Sequence, residues 1–273
     1  MLCDSWASKI TVSSIINATQ HTLFPVRPMP IYRFYCPCEL QTNTTITLPD
    51  DVSHHALRVL RLKRGSTIRL FNGQGGWYAA TLESEGKTAL ASITQHYAEE
   101  AELKGRITLV QGIASGDKMD WIVEKAVELG VTEFIPIAAR RSVLQLSGER
   151  LNKRMQHWQR VIKSASEQCG RNRLMQLHPV SALGDYLGNA YALAHDKRLF
   201  CHPDANLSLA EALCPAPEML TLLVGPEGGW SEEERALARQ HSLTAVQFGR
   251  RVLRTETAGL ALVSACSALL NWN

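Results

Sequence analysis

"LLVGPEGGW", residues 222–230, joins an apolar run to a turn made almost wholly of backbone. With Met219, Leu220 and Thr221 before it, the run reads as a strand covered on both faces. It ends at Gly225; Pro226, Glu227, Gly228 and Gly229 follow, and Ser231 with Glu234 spells the capping box that opens a helix. In open α/β sheets, strand-to-helix crossings of this kind carry ligand loops. Three missing side chains would let a ligand reach N–H and C=O groups directly. The order Gly-Pro-Glu-Gly-Gly is not the dinucleotide fingerprint, and no Gly-Lys-Ser/Thr of a phosphate loop follows it. A carboxylate in the turn suits a neutral or cationic ligand better than a polyphosphate. The same residues also serve a plain tight βα turn, so the ligand reading needs a second stretch.

That stretch is "FGRRVLRTETAGLALVSACSALL", residues 248–270. Another short strand, "TAVQF", stops at a glycine, Gly249, and a loop with Arg250, Arg251 and Arg254 leads into a long apolar helix. Thr255 is the expected N-cap, with Glu256 favouring the helix dipole. Three arginines oppose that dipole, and an anionic partner would account for them.

Outward from these crossings, residues after about 106 alternate between strand and helix. "ITLVQGI" is a continuous apolar run, and "DKMDWIVEKAVELG" places Met119, Ile122, Val123, Ala126 and Val127 on one helical face before Gly130. "EFIPI", a long polar helix over about 149–168, and strand candidates "YALA" or "RLFCH" continue the pattern of an α/β domain with a mostly parallel sheet. Between Ile31 and Tyr97 the text instead reads as short strands and tight turns. "NGQGG" is a hairpin tip, and a short helix carries Val52, Ala56, Val59 and Leu60 at helical spacing with Asp50 or Asp51 as cap. A small β-barrel is expected there. The charged segment 98–105 reads as a linker.

The 273 residues are 45% hydrophobic and 20% charged, enough for one large or two smaller cores. No window reaches the roughly 18 apolar residues of a membrane span. Seven scattered cysteines argue for a reducing, cytoplasmic setting rather than a disulfide framework. Cys36-Pro37-Cys38 lacks the spacing and the second pair of a zinc site, so no metal is expected. Residues 1–28 show no periodicity and no hydrophobic core long enough for a signal peptide, and are expected to form a disordered extension.

"LLVGPEGGWSEEE" and "FGRRVLRTETA" together resemble the SPOUT superfamily of methyltransferases, and within it the ribosomal RNA small-subunit methyltransferase E family. "RFYCP", "HHALRVLRLKRG", "SGDKMDWIVEKAVELGV" and "WQRVIKSASEQCGRN" fall in that family's order, and the likeness covers about residues 29–270. It implies a PUA-like barrel over 29–97 and a trefoil-knotted SPOUT domain over 106–273. It also implies a homodimer, S-adenosylmethionine as methyl donor, and N3 of a uridine in 16S rRNA, within the 30S particle, as acceptor. Related enzymes acting on tRNA or 23S rRNA, or a catalytically silent RNA-binding relative, are the alternatives.

Carried onto this sequence, the donor site comprises Leu223, Gly225, Pro226, Glu227, Gly228, Gly229, Phe248, Gly249, Val252, Leu253 and Thr257, with His202 from a third loop. Glu227 and Glu256 are the candidate bases for the N3 proton, and Arg254 the candidate holder of the uracil oxygens. Two basic stretches are the expected RNA contacts: Arg58, Arg61, Lys63 and Arg64 in the barrel, and Arg154, Arg171 and Arg173 on or after the long helix, with Trp158 and His157 available for stacking.

Overall fold

The computed structural model describes residues 32–86, 88–144, 147–188 and 196–273, so the expected N-terminal extension and the "YALA" strand candidate lie outside the described residues. Two sheets organise the chain. The first holds β1 (Tyr32–Tyr35), β2 (Thr45–Thr47), β3 (Thr67–Phe71), β4 (Trp77–Glu85) and β5 (Thr88–Tyr97) in the order β1-β3-β4-β5-β2. Only β1 and β3 pair in parallel; the remaining pairs are antiparallel. Ile68, Leu70, Ala80, Leu82, Ala91 and Ile93 alternate inward onto Phe34, Leu48 and Val52, as period-2 strands with one buried face require. The Asn72–Gly76 turn forms the expected hairpin between β3 and β4.

The helix after Pro49 departs from its expected form. α1 (Asp50–His54) runs into one π-helical turn over His55–Val59, closed by Leu60 N–H on His55 O at 2.9 Å. The wider turn rotates the following residues, so Val52 and Ala56 are buried while Val59 faces solvent. Neither Asp50 nor Asp51 caps this helix; Pro49 occupies the N-cap, and Asp51 instead accepts from Lys163 at 2.5 Å.

The second sheet contains β6 (Arg106–Gly112), β7 (Glu133–Ile137), β8 (Gln176–Leu177), β9 (Asp196–Cys201), β10 (Leu207–Ser208), β11 (Met219–Val224) and β12 (Thr244–Gln247). Every pairing is parallel, in the order β10-β12-β9-β11-β6-β7-β8. Helices cover both faces, which is why the central strands carry unbroken apolar runs. Ile107 and Leu109 of β6 pack with α2 (Lys118–Glu128), α3 (Gly148–Cys169) and α7 (Thr255–Leu269) through Ile122, Trp158, Ile162, Leu262 and Val263. Val110, adjacent to Leu109 in sequence, faces the opposite layer, where α4 (Leu183–Gly188) and α6 (Glu232–Gln240) contribute Leu183, Leu187 and Ala238. Full burial of each such aliphatic chain contributes roughly 1.5–3 kcal/mol. Among the described residues no helix is long and apolar enough to cross a membrane.

The segment after α3 ties the two sheets together. Gly170, at φ +93°, ends the helix in the left-handed conformation. Arg171 then turns inward and is 3% exposed. Its guanidinium meets both Glu102 oxygens at 3.0 and 2.6 Å and donates to Val127 O and Val131 O at 3.0 and 2.8 Å. Asn172 donates to Glu99 O at 2.7 Å, while Arg33 of β1 reaches Asn172 Oδ1 at 2.8 Å. Glu99 and Glu100 accept from Trp77 Nε1 and Gly76 N–H at 3.1 and 3.0 Å. The acidic 98–105 segment is therefore bonded on both sides rather than a solvated run. Arg171 is a structural staple rather than a surface RNA contact, because it is buried and four of its five N–H groups are met by internal acceptors. Removing one partner of a buried pair strands the other charge, so Arg171→Ala should lower unfolding stability by about 3–5 kcal/mol. Arg171→Lys should recover little of it, since an ammonium cannot reproduce the fork; urea denaturation checks both.

Candidate active site

Three crossings open at the C-terminal ends of neighbouring strands. β11, β9 and β12 lie side by side in the sheet, so the turns after Val224, Cys201 and Gln247 converge at one edge. Between them lies a cleft of about 1030 Å³. Gly225, Pro226, Glu227, Gly228, Gly229, Phe248, Gly249, Val252, Leu253, Arg254, Glu256 and His202 all line it. Each of these twelve is a site residue expected from the sequence, and the fold brings them to one cavity.

Two expected residues do not line it. Leu223 is fully buried in the layer with Trp230 and Phe200, because alternation along β11 turns it away while Val224 faces the cleft. Thr257 is exposed and absent from the lining. The reason is helix phase. Arg254, in extended conformation, occupies the N-cap of α7 without a side-chain cap bond, and Thr255 is the first helical residue rather than the cap. It is therefore Thr255 that points inward: its hydroxyl donates to Gly225 O at 2.6 Å and joins the two main crossings directly.

The glycines serve different purposes. A Cβ on Gly228 would fall 2.8 Å from Arg141 Cβ and 2.9 Å from Arg141 O, so close packing of the β7–α3 loop excludes any side chain there. Gly249 has nothing within 4 Å of such a Cβ, but its φ of +74° is strained for other residues. Ser231 and Glu234 form the expected capping box at α6, and the other Glu234 oxygen takes Arg140 N–H at 3.0 Å.

Glu227 is held by a further crossing, after β6, in the stretch "SGDKMDWIVEKAVELGV", to which the sequence reading assigns no site residue. Its Oε1 accepts from Ser115 N–H at 3.0 Å, Ser115 Oγ at 2.7 Å and Lys118 Nζ at 2.9 Å. Burial alone would raise its pKa, but the Ser115 hydroxyl and amide and the Lys118 ammonium outweigh that and bring it to about 2. Glu227 also raises Lys118, whose nitrogen lies 3.7 Å from Glu256 Oε2. That Glu256 oxygen is buried and receives no hydrogen bond, and neither does the buried indole N–H of Trp230 find an acceptor. Both orphans border the cleft. With Phe248 and Val252 presenting apolar surface (37% and 80% exposed), the inner lining offers Glu227, Glu256 and open backbone, while Arg141, Arg250, Arg251 and Arg254 also border the cleft. That chemistry fits a cationic, partly aromatic molecule. Lys118 does leave a signal in the sequence: a lysine at the first position of a helix opposes the dipole, as the arginines before α7 do.

The expected RNA contacts fare unevenly. Arg58, Arg61, Lys63 and Arg64 are all exposed, at the π turn and the loop after it. Arg154 and Arg173 are partly engaged with Asp120 and Glu100 at 3.5 and 3.4 Å. Trp158 cannot stack on a base, since it is fully buried and donates to Asp120 Oδ1 at 3.1 Å. Arg140, Arg141, Arg250 and Arg251 are exposed at or beside the cleft mouth instead.

The depressed Glu227 pKa has a stability consequence. A carboxyl whose folded pKa lies below its unfolded value stabilises the fold fully above about pH 4.5 and loses that contribution as the pH falls toward about 2. Glu227→Gln should lower stability at neutral pH and flatten the decline between those values; denaturation at a series of pH values measures it.

A family model described as the RNA methyltransferase domain matches residues 101–267, and one described as the RNA methyltransferase PUA domain matches residues 48–94. The ribosomal RNA small subunit methyltransferase E of Bacillus subtilis is 30% identical over 241 residues, covering 84% of this chain and 92% of that one. The crystal structure of the Neisseria gonorrhoeae ribosomal RNA small subunit methyltransferase E bound to S-adenosyl methionine is 36% identical. It has a TM-score of 0.81 and covers 88% of this chain and 98% of its own. A Legionella pneumophila putative methyltransferase solved with the bound cofactor SAM is similar at 32% identity, the same TM-score of 0.81, and coverage of 88% and 98%. With matches across both sheets, the chain belongs to the ribosomal RNA small subunit methyltransferase E family of RNA methyltransferases.

Proposed function

We propose that this protein methylates N3 of a uridine in 16S rRNA, within the 30S particle and in the cytoplasm, using S-adenosylmethionine. The observation that carries the reading is the cleft itself. The turns after β11, β9 and β12 meet around a cleft lined by Glu227, Trp230 and Glu256, in a chain whose relatives of similar fold were crystallised with the methyl donor. The bound donor supplies an electrophilic methyl group on a sulfonium centre. Gly225 to Gly229 and Phe248 to Leu253 would hold it through backbone and apolar contact, with His202 from the turn after β9, the strand between β11 and β12.

The protein's own task is to bare N3. Uracil N3 carries a proton at neutral pH and attacks poorly until it leaves. Glu227, with three donors on one oxygen and a pKa near 2, has little affinity for that proton and acts as a fixed negative post. Glu256 is the other carboxylate lining the cleft, and the acceptor we assign to that proton. Arg254, exposed at the head of α7, is placed to meet the charge that spreads to O2 and O4 as the proton departs. Alignment within the cleft supplies much of the remaining rate.

The basic groups frame the RNA. Arg140, Arg141, Arg250 and Arg251 at the cleft mouth, with Arg58, Arg61, Lys63 and Arg64 on the first sheet, would track phosphates on either side of the target nucleotide. We also read the protein as a homodimer with a knotted C-terminal region. α2 and α7 pack together, and Trp121, Val252 and Leu269 stay more than half exposed nearby, an apolar surface that a second copy would cover.

Mapping methylated nucleotides in rRNA from cells with and without the gene tests the reaction: one N3-methyluridine in 16S rRNA should vanish, and loss of a tRNA or 23S mark instead would overturn the substrate. Arg254→Ala should cut turnover by about 100-fold, the scale of losing one charge-stabilising donor, with donor affinity nearly unchanged by calorimetry. Arg250→Glu with Arg251→Glu should raise KM for rRNA and lower the salt slope of binding by about 0.7 for each phosphate no longer neutralised.

A further inference from the structure

Gln111 is a fully buried carboxamide in the central strand β6, and it faces α7 rather than a polar layer. Its Nε2 donates to Gly112 O and Thr255 Oγ1, both at 2.9 Å, and reaches Gly225 O at 3.5 Å. Thr255 Oγ1 passes its own hydrogen to Gly225 O at 2.6 Å. Amide, hydroxyl and carbonyl thus form a chain in which each bond polarises the next. Each acceptor belongs to a different crossing: Gly112 precedes the loop bearing Ser115 and Lys118, Gly225 opens the Glu227 turn, and Thr255 adjoins Glu256.

The other half of this amide is left unmet. Gln111 Oε1 is buried without a donor, and any Cβ at Gly259 of α7 would fall 3.2 Å from it. A half-satisfied buried amide is a poor way to stabilise a core, where an apolar side chain of equal length would do as well or better. Its use lies in geometry. We infer that Gln111 is a positioning residue for methyl transfer, fixing the three crossings relative to one another so that Glu227, Glu256 and the donor-binding turn share one register. The inference rests on the methyltransferase reading above.

Three variants test it: Gln111→Met, Thr255→Val and Thr255→Ser. S-adenosylmethionine affinity is read by calorimetry, single-turnover methyl transfer to 16S rRNA at saturating donor gives the rate, and thermal unfolding gives stability. Gln111→Met and Thr255→Val should each weaken donor binding by about tenfold and slow transfer, the effect expected when a buried hydrogen-bond partner is removed. Combining them should cost no more than either alone. Thr255→Ser keeps the hydroxyl and should restore both readouts, while Gln111→Met should unfold no earlier than the parent. Parent-like affinity and rate in Gln111→Met overturn the inference, as does a loss matched by an equal fall in unfolding temperature. If Gln111→Met does not fold, equal donor affinity in Thr255→Val and Thr255→Ser overturns it. A parent protein that binds no donor overturns the methyltransferase reading with it, whereas a parent that binds donor beside unaffected variants overturns the positioning role alone.

Discussion

The hydroxyl of Thr255 on the carbonyl of Gly225, at 2.6 Å, is the contact on which the site depends. β11 and β12 are not neighbours in the sheet, since β9 lies between them. Their crossings would diverge if each simply followed its own strand. A side chain at the first turn of α7 closes the gap, and it can do so because Arg254 rather than Thr255 takes the cap. The cleft is the space this contact leaves around itself.

Charge in the cleft is arranged by opposition. Lys118 sits between Glu227 and Glu256 but bonds closely only to the first, at 2.9 against 3.7 Å. Glu227 is thereby committed to the Ser115–Lys118 loop, while Glu256 Oε2 stays beyond hydrogen-bond reach of the same ammonium.

Much of this is legible in the sequence. Continuous apolar runs in β6 and β11 announce a sheet covered on both faces, and the Ser231–Glu234 pair announces α6, because both are local consequences of side-chain chemistry. The two glycine crossings mark the cleft for the same reason. What escapes is set by tertiary partners or by a shift of one residue. Arg171 reads as a surface cation in "GRNR", and only the folding of Glu102 against it makes it internal. Trp158 reads as a stacking platform until Asp120 accepts its N–H. Thr255 and Thr257 lie two positions, about 200°, apart on α7, so the hydroxyl that joins the crossings is that of Thr255, while Thr257, carried over from the family likeness, faces outward. The π turn at His55–Val59 likewise has no local mark in composition, and it reverses where Val59 points.

The bonding of Arg171, Asn172 and Arg33 across the two sheets has a consequence for recognition. With the first sheet fastened to the end of α3 by these bonds, its arginine cluster stands at a set span from the cleft mouth. A nucleic acid engaging both at once must already hold its phosphates and its target base at that separation. On the proposed reading, the protein would work as a calliper, selecting a folded shape before any base edge is touched.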